Sequence, residues 1–289
     1  SAHCGRRIDA VEPVLVFDRF ASTVHTRWLR ATQQSFAPWW ATAGMATQPH
    51  LLVEPGDCHD IALIPGDPGR VDRIAEQCTN VEHVAENREY KLVNASYDGR
   101  PLTICSTGIG CPSAAIAIEE LNAVGVETVI RCGTTGALQS DIEIGDMVVA
   151  TGAAKEDGTT KRYESGVYPA VPDYDVLSGL VDAAEENDED VHVGPIVSDD
   201  AFYAETDEYV DDWAAANLLA IEMEAAAIFS LARRKGMGAG AICTVDGNLV
   251  EGTQKGADGD EELPPKAQNN VERAITITLE AAAALSVDR

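Results

Sequence analysis

Apolar and polar positions alternate between two periods along most of the chain. A short unbroken apolar run at 61–65 predicts a buried strand, and the stretch after Arg70 predicts a helix. Period-two stretches at 81–85, 91–97 and 101–106 predict strands, with Asp98-Gly99 as the hairpin turn between the last two. Pro112 opens the next helix, whose buried face carries Ala114, Ala117, Ile118 and Leu121. Strands are expected at 126–131, running into a turn at Gly133-Thr134-Thr135-Gly136, and at 145–151. Beyond these, 173–187 reads as helix, 191–198 as strand, 206–217 and 224–235 as helices, 239–245 as strand and 267–285 as a closing helix. The Gly- and acid-rich stretch 255–265 reads as a mobile loop. No repeat is visible, and the alternation predicts one α/β domain around a largely buried mixed sheet.

Composition narrows this picture. The 289 residues carry a formal net charge of −27. Lysine occurs only at Lys91, Lys155, Lys161, Lys235, Lys255 and Lys266. Hydrated carboxylates with so little lysine suit a protein dissolved in concentrated salt, where screening over a few ångströms removes self-repulsion. A halophilic cytoplasm is the expected setting. Nucleic acid and anionic membranes both require a basic face, so neither is an expected partner. No apolar run is long enough to suggest a membrane span. The seven cysteines form no CxxC pair, and an odd count argues against a disulfide framework. Residues 1–44 differ from the rest, holding three of the four tryptophans and more arginines than acids. They are expected to be an upstream or mis-assigned extension, with the domain proper spanning 45–289.

Four separated turns are expected to place polar groups at strand ends, where open α/β sheets bind ligands. Gly66-Asp67-Pro68-Gly69-Arg70 offers backbone N–H groups and a guanidinium to an anion. Arg131 and Thr134 add a second guanidinium and a hydroxyl, while neighbouring glycines allow close backbone approach. Glu222-Met223-Glu224 sets a thioether between two carboxylates, which suits a sugar ring and its vicinal diol. Asp246, in Val245-Asp246-Gly247, is an acid at a strand end.

Five motifs in this order, Ile64-Pro65-Gly66-Asp67-Pro68-Gly69-Arg70, Asn87-Arg88-Glu89-Tyr90, Cys105 to Ser113, Arg131-Cys132-Gly133-Thr134-Thr135-Gly136-Ala137 and Glu222-Met223-Glu224, resemble the hexameric nucleoside phosphorylase family. The resemblance covers the chain from about His50 to its end. It implies a three-layer αβα sandwich with a central mixed sheet, in which dimers assemble into a homo-hexamer. It further implies that Gly66, Arg70, Arg131 and Thr134 hold inorganic phosphate, joined by Arg88 from a neighbouring subunit. Glu222, Met223 and Glu224 would bind ribose, with His50 reaching across the dimer to the 5′-hydroxyl. Phe202 would stack on the base, with Thr135, Gly136, Thr206 and Glu208 around it. Glu89, Ile109 and Ser113 match positions that hold a monovalent cation, usually K+, between subunits, while the reaction itself needs no cofactor.

The implied reaction is phosphate-dependent cleavage of an N-glycosidic bond, giving free base and ribose 1-phosphate, with Arg131 and Arg70 as the main catalytic groups. Positioning and electrostatics can supply most of the rate, since arginines fix the phosphate and its charge stabilises the oxocarbenium-like sugar. Within the family the motifs are most similar to the uridine phosphorylases. Those usually carry a Gln and an Arg after the stacking Phe, where this chain has Thr206 and Glu208. Asp246 resembles the acid that protonates N7 in some purine-cleaving members, so purine nucleosides are the alternative substrate. A nucleosidase, with water replacing phosphate, would lack the arginine cradle. A sensing or storage relative would have lost the phosphate and ribose motifs. Replacing Arg131 by Ala is expected to cost orders of magnitude in phosphate-dependent turnover with little loss of fold.

Overall fold

The computed structural model describes residues 47–253 and 265–286; the 1–44 extension and nearly all of the expected mobile loop lie outside the described residues. The first apolar run forms β1 (Ile61–Leu63), and α1 (Pro68–Glu76) follows after four residues. Asp67 caps this helix by accepting from the Gly69 N–H at 2.9 Å, and Pro68 supplies a preset first turn. A ribbon of β2 (Thr79–Asn87), β3 (Tyr90–Tyr97) and β4 (Arg100–Cys105) comes next, with Asp98 and Gly99 at the second turn, both at positive φ. Then come α2 (Cys111–Ala123), β5 (Thr128–Ala137), β6 (Met147–Glu156), the single turn α3 (Thr160–Tyr163), α4 (Tyr174–Glu186) and β7 (Val191–Asp199). A 3-10 turn at Phe202–Ala204 leads into α5 (Asp207–Ala215), β8 (Ala220–Glu222), α6 (Ala225–Lys235), β9 (Gly238–Asn248) and α7 (Pro265–Ala284).

Among the described residues the strands form one sheet, ordered β2-β3-β4-β1-β5-β8-β7-β6-β9, and β5 also pairs with β9. That extra pairing closes β5, β8, β7, β6 and β9 into a ring. β5 pairs in parallel with β1 and β9 and antiparallel with β8, so the sheet is mixed as expected. Successive β5 side chains enter opposite cores. Val129 packs with α2 and α6, through Ile118, Leu121, Ile228 and Phe229. Ile130 and Cys132 pack with α1, α4 and α7, through Ile74, Leu180 and Ile275. The expected three layers follow.

Two expectations at the sheet need correction. Residues 133–136 are not a turn: β5 runs on through them to Ala137, paired with β9 over Gly133↔Cys243 and Thr134↔Thr244 and with β8 at Gly136↔Ile221. Val245-Asp246-Gly247 is likewise inside β9. Its partners jump from Thr135↔Val245 to Gly136↔Gly247, which leaves Asp246 as the extra residue of a bulge. In both places a neighbouring strand takes the backbone groups that local turn propensity would have bent away.

Several cations near the surface are paired, as in Lys91 with Asp72 at 2.6 Å and Lys235 with Glu119 at 2.6 Å. Such pairs contribute little, and less in salt, so stability rests on the two apolar layers. Phe229 is fully buried in the middle of α6. Its replacement by Ala is expected to cost about 3–5 kcal/mol, read as a lower urea midpoint in concentrated KCl.

Candidate active site

Arg131 lies in the middle of β5 with 3% of its surface exposed, between the two carboxylates that flank Met223. Its Nε is 2.9 Å from Glu222 Oε2, and its Nη2 is 2.5 Å from Glu224 Oε2. Burial alone would push the guanidinium pKa down; Glu224 and Glu222 overcome that and hold it above its ordinary value. Burial raises the Glu224 carboxyl, opposed by Arg131 and reinforced by Glu222. Gly133 is needed here because a Cβ would stand 2.9 Å from Arg131 Cζ, so the side chain folds back over its own strand only where none exists. Arg131 Nη1 has no hydrogen-bond partner although it is buried.

The second guanidinium comes from α1. Arg70 is 7% exposed and donates from Nη1 to the Cys132 carbonyl at 3.1 Å, which sets it beside Arg131. Its Nε is also buried without a partner. A Cβ on Gly66 would lie 3.9 Å from Arg131 Nη1 and 3.1 Å from the Gly108 carbonyl, so the loop before α1 faces the same spot. The expected fan of backbone donors is reduced, because Asp67 takes the Gly69 N–H and its carbonyl takes the Arg70 N–H. The cradle is made mainly of side chains. Buried, unpartnered guanidinium N–H groups are costly unless an anion completes them. Thr134 stands one residue beyond Gly133 and is half-buried.

The Glu222-Met223-Glu224 segment joins β8 to α6 as expected. Glu222 accepts from the Glu224 N–H at 2.9 Å and the Ala225 N–H at 3.0 Å, closing the helix N-terminus. Glu224 accepts from the Gly110 N–H at 2.5 Å, which ties the loop before α2 to the site. Ser198, at the end of β7, donates to Glu222 Oε1 at 2.5 Å and accepts from the Ala226 N–H at 2.9 Å. Nothing in the sequence around Ser198 marks it, because its role depends on β7 pairing with β8 at Ser198↔Glu222. Met223 between the two acids is half-buried.

On the far side, Phe202 sits in the 3-10 turn, 43% exposed and edge-on to Tyr203. Thr206 and Glu208 are exposed: the Thr206 hydroxyl caps α5 by accepting from the Tyr209 N–H, and Glu208 lies in its first turn. Both therefore have roles in starting a helix. Thr135 donates to the Ile221 carbonyl at 2.6 Å, and Gly136 pairs with Ile221, which links β5 to β8. Asp246, in its bulge, is buried. Glu205 was not singled out by the sequence. Burial, helped by Asp199, pushes its carboxyl up to about 7. Asp199 in turn accepts from the Tyr209 hydroxyl and from the Ala201 N–H.

Arg88 and His50 lie apart from this cluster. Arg88 is exposed at the tip of the β2–β3 hairpin at φ 57°. His50 is held by Glu120 of α2, Nδ1 to Oε1 at 2.6 Å. Ser113 Oγ lies 2.9 Å from Glu89 Oε1, 2.5 Å from the Thr107 carbonyl and 3.2 Å from the Tyr90 hydroxyl. Ile109, on the same loop, is 79% exposed.

The sequence pattern of the phosphorylase superfamily matches residues 60–283. The chain belongs to that superfamily. A guanosine phosphorylase of Halorubrum lacusprofundi is 77% identical over 241 residues, covering 83% of this chain and 100% of the relative. A uridine phosphorylase of Thermococcus kodakarensis is 40% identical over 74% of this chain and 82% of the relative. Among solved structures, a purine nucleoside phosphorylase of Toxoplasma gondii in complex with immucillin-H aligns with a TM-score of 0.77 and 32% identity, covering 83% of this chain and 96% of that one. A uridine phosphorylase of Vibrio fischeri aligns with a TM-score of 0.76 and 35% identity, covering 84% and 99%. The chain is an enzyme of the nucleoside phosphorylase class, with the α/β fold of that class.

The expectation that Arg131 can be removed with little loss of fold does not hold against this geometry. Arg131→Ala would leave Glu222 and Glu224 buried without their cation, a loss of about 3–5 kcal/mol. Arg131→Ala is expected to lower the urea midpoint as well as turnover. Arg131→Ala/Glu222→Gln/Glu224→Gln should regain most of the stability and none of the activity.

Proposed function

We propose that this enzyme is a purine nucleoside phosphorylase acting on guanosine, converting guanosine and inorganic phosphate to guanine and ribose 1-phosphate. This reverses the order of the alternatives suggested by the motifs alone. The observation that carries the reading is the acidity beside Phe202, where Asp199 and Glu205 lie together and where Thr206 and Glu208 replace the uracil-reading Gln and Arg; Asp246, in the β9 bulge, is the further acid assigned to the base. Guanine presents N1–H and a 2-amino group, both donors, and N7, an acceptor. Carboxylates complement the first two and a protonated carboxyl the third. The full-length match to the Halorubrum guanosine phosphorylase supports the same assignment.

In this mechanism phosphate is held by Arg70, Arg131, Gly66 and Thr134, below the ribose that Glu222, Met223 and Glu224 orient. A phosphate oxygen bonds to C1′ as the C1′–N9 bond breaks, and the bond electrons pass into the purine. Asp246 delivers a proton to N7, so the base leaves neutral. Phe202 stacks on the ring, with Thr135 and Gly136 forming the floor beside it. Arg70 and Arg131 are balanced in charge by Glu222 and Glu224, so one protomer offers the phosphate donors but no net positive charge. A third guanidinium, the partner subunit's Arg88, supplies it. That requirement supports a homo-oligomer of dimers forming a hexamer. The oxygens gathered at Glu89 and Ser113 outnumber the protons between them and suit a hard monovalent cation such as K+, with Ile109 on the exposed loop beside them. The acid surface fits a salt-rich cytoplasm.

A panel of guanosine, inosine, adenosine, uridine and thymidine in concentrated KCl tests the assignment. Guanosine cleavage that depends on phosphate is expected, with uridine at least tenfold slower; uridine as the best substrate would overturn the reading. Asp246→Asn is expected to lower guanosine kcat by about 10²-fold or more and to affect residual uridine cleavage less. Glu205 titrates near pH 7 and is neutral below that point, so kcat/KM for guanosine should rise as pH climbs through 7 and the carboxylate becomes an acceptor. Glu205→Gln should flatten that limb, and an unchanged profile would remove Glu205 from base reading.

A further inference from the structure

The loop before β1 is fastened to α2 through one buried acid. Glu120 accepts from the Leu51 N–H at 2.8 Å and the His50 N–H at 3.0 Å through Oε2, and its Oε1 meets His50 Nδ1 at 2.6 Å. Only 5% of the Glu120 side chain is exposed, against 35% of His50. Asn87 then donates from Nδ2 to the His50 carbonyl at 2.8 Å, one residue before Arg88. Tyr90 braces the imidazole edge-on, with ring centroids 6.4 Å apart. The His50 segment is thus linked, through Asn87, to the hairpin that carries Arg88, the other residue assigned above to a neighbouring protomer's site.

We infer that Glu120 is a positioning residue, which locks His50 so that its Nε2 faces outward to bind the ribose 5′-hydroxyl in the partner subunit. The inference rests on the phosphorylase reading above and adds to it the group that orients the histidine. An ionised carboxylate has no proton to give, so Nδ1 must carry the ring hydrogen. Which nitrogen is protonated is set by the hydrogen bond that the other makes, so Nε2 of the neutral ring becomes an acceptor. The 5′-hydroxyl donates to it. Glu120 also removes rotational freedom from the imidazole and from residues 50–51, so the cost of ordering them is met before substrate binds.

The test compares guanosine with 5′-deoxyguanosine, which lacks the hydroxyl, in the full chain and its native oligomer. For the wild type, kcat/KM should favour guanosine by about tenfold, the value of one good hydrogen bond. His50→Ala and Glu120→Ala should each bring that ratio close to one, mainly through a higher KM for guanosine. In the His50→Ala background, Glu120→Ala should change the ratio no further. Glu120→Gln keeps an acceptor for both backbone N–H groups but presents an amide to Nδ1, so it should fold even if Glu120→Ala does not. Its ratio should still fall at least threefold, and 15N spectra should place the His50 ring proton on Nε2 instead of Nδ1.

Glu120→Gln lowering both substrates equally would make Glu120 a fold residue only, and an unchanged ratio would likewise overturn the inference. If His50→Ala left the ratio unchanged, His50 would not meet the 5′-hydroxyl and the inference would fall with guanosine phosphorolysis intact. Absence of any phosphate-dependent cleavage by the wild type would instead overturn the underlying reading.

Discussion

Arg131 sits in the interior with Glu222 and Glu224 against it, and much of the surrounding architecture follows from the cost of keeping three charges out of water. Each acid needs further donors, and these are drawn from separate parts of the chain. Glu222 closes α6 and takes the Ser198 hydroxyl from β7; Glu224 holds the Gly110 amide ahead of α2. The ion triad therefore ties three strands, β5, β7 and β8, and two helix starts to one point. Its cation is still not saturated, since Nη1 remains open toward Gly66 and Arg70. In the proposed site, stability and substrate binding would meet in one guanidinium, and a polar cluster complete except at Nη1 would be pre-organised for an anion.

The closed ring of strands explains how such a cluster can form. β5 pairs with β9 along its whole length from Thr128 to Ala137, and its end at Gly136 and Ala137 is also paired with β8. A turn at the same place would be free to breathe. Paired strand backbone instead holds Arg131 to a fixed height above Gly133, and the bulge at Asp246 re-aims one acid without breaking the ladder on either side. In the proposed site, rigid elements would thus carry the phosphate and sugar contacts, whereas the residues assigned to the base lie partly on the 3-10 turn and the start of α5. This division fits a superfamily whose members include both guanosine and uridine phosphorylases.

Periodicity located most elements because core strands and amphipathic helices follow fixed repeats, and the Asp67 cap and the Asp98-Gly99 turn are local signals. It missed β8, three residues long and without a pattern of its own, and it ended β5 and β9 early at glycines that tertiary pairing keeps extended. The motif order identified Arg70, Arg131, Glu222 and Glu224, which the structure brings together. Glu120, Ser198 and Glu205 could not be read in the same way. Glu120 and Ser198 act on residues 70 and 24 positions away, Glu205 is set apart only by its burial beside Asp199, and acids are too abundant in this chain for any one to stand out.

That abundance has a consequence for the substrate. A chain of net charge −27 repels phosphate at long range, so an anion site must either overcome the field or be hidden from it. Screening in concentrated salt shortens the reach of surface charge to a few ångströms. Within that radius the proposed site would offer the anion the fixed forks of Arg70 and Arg131 and not the acid surface. Arginine suits this task better than lysine, because its charge persists on burial and its planar donors hold two oxygens at defined angles. The scarcity of lysine and the placing of buried arginine at the site thus have one physical basis: at high ionic strength, weakly hydrated cations with directional hydrogen bonds retain an advantage that point charges on flexible stems lose.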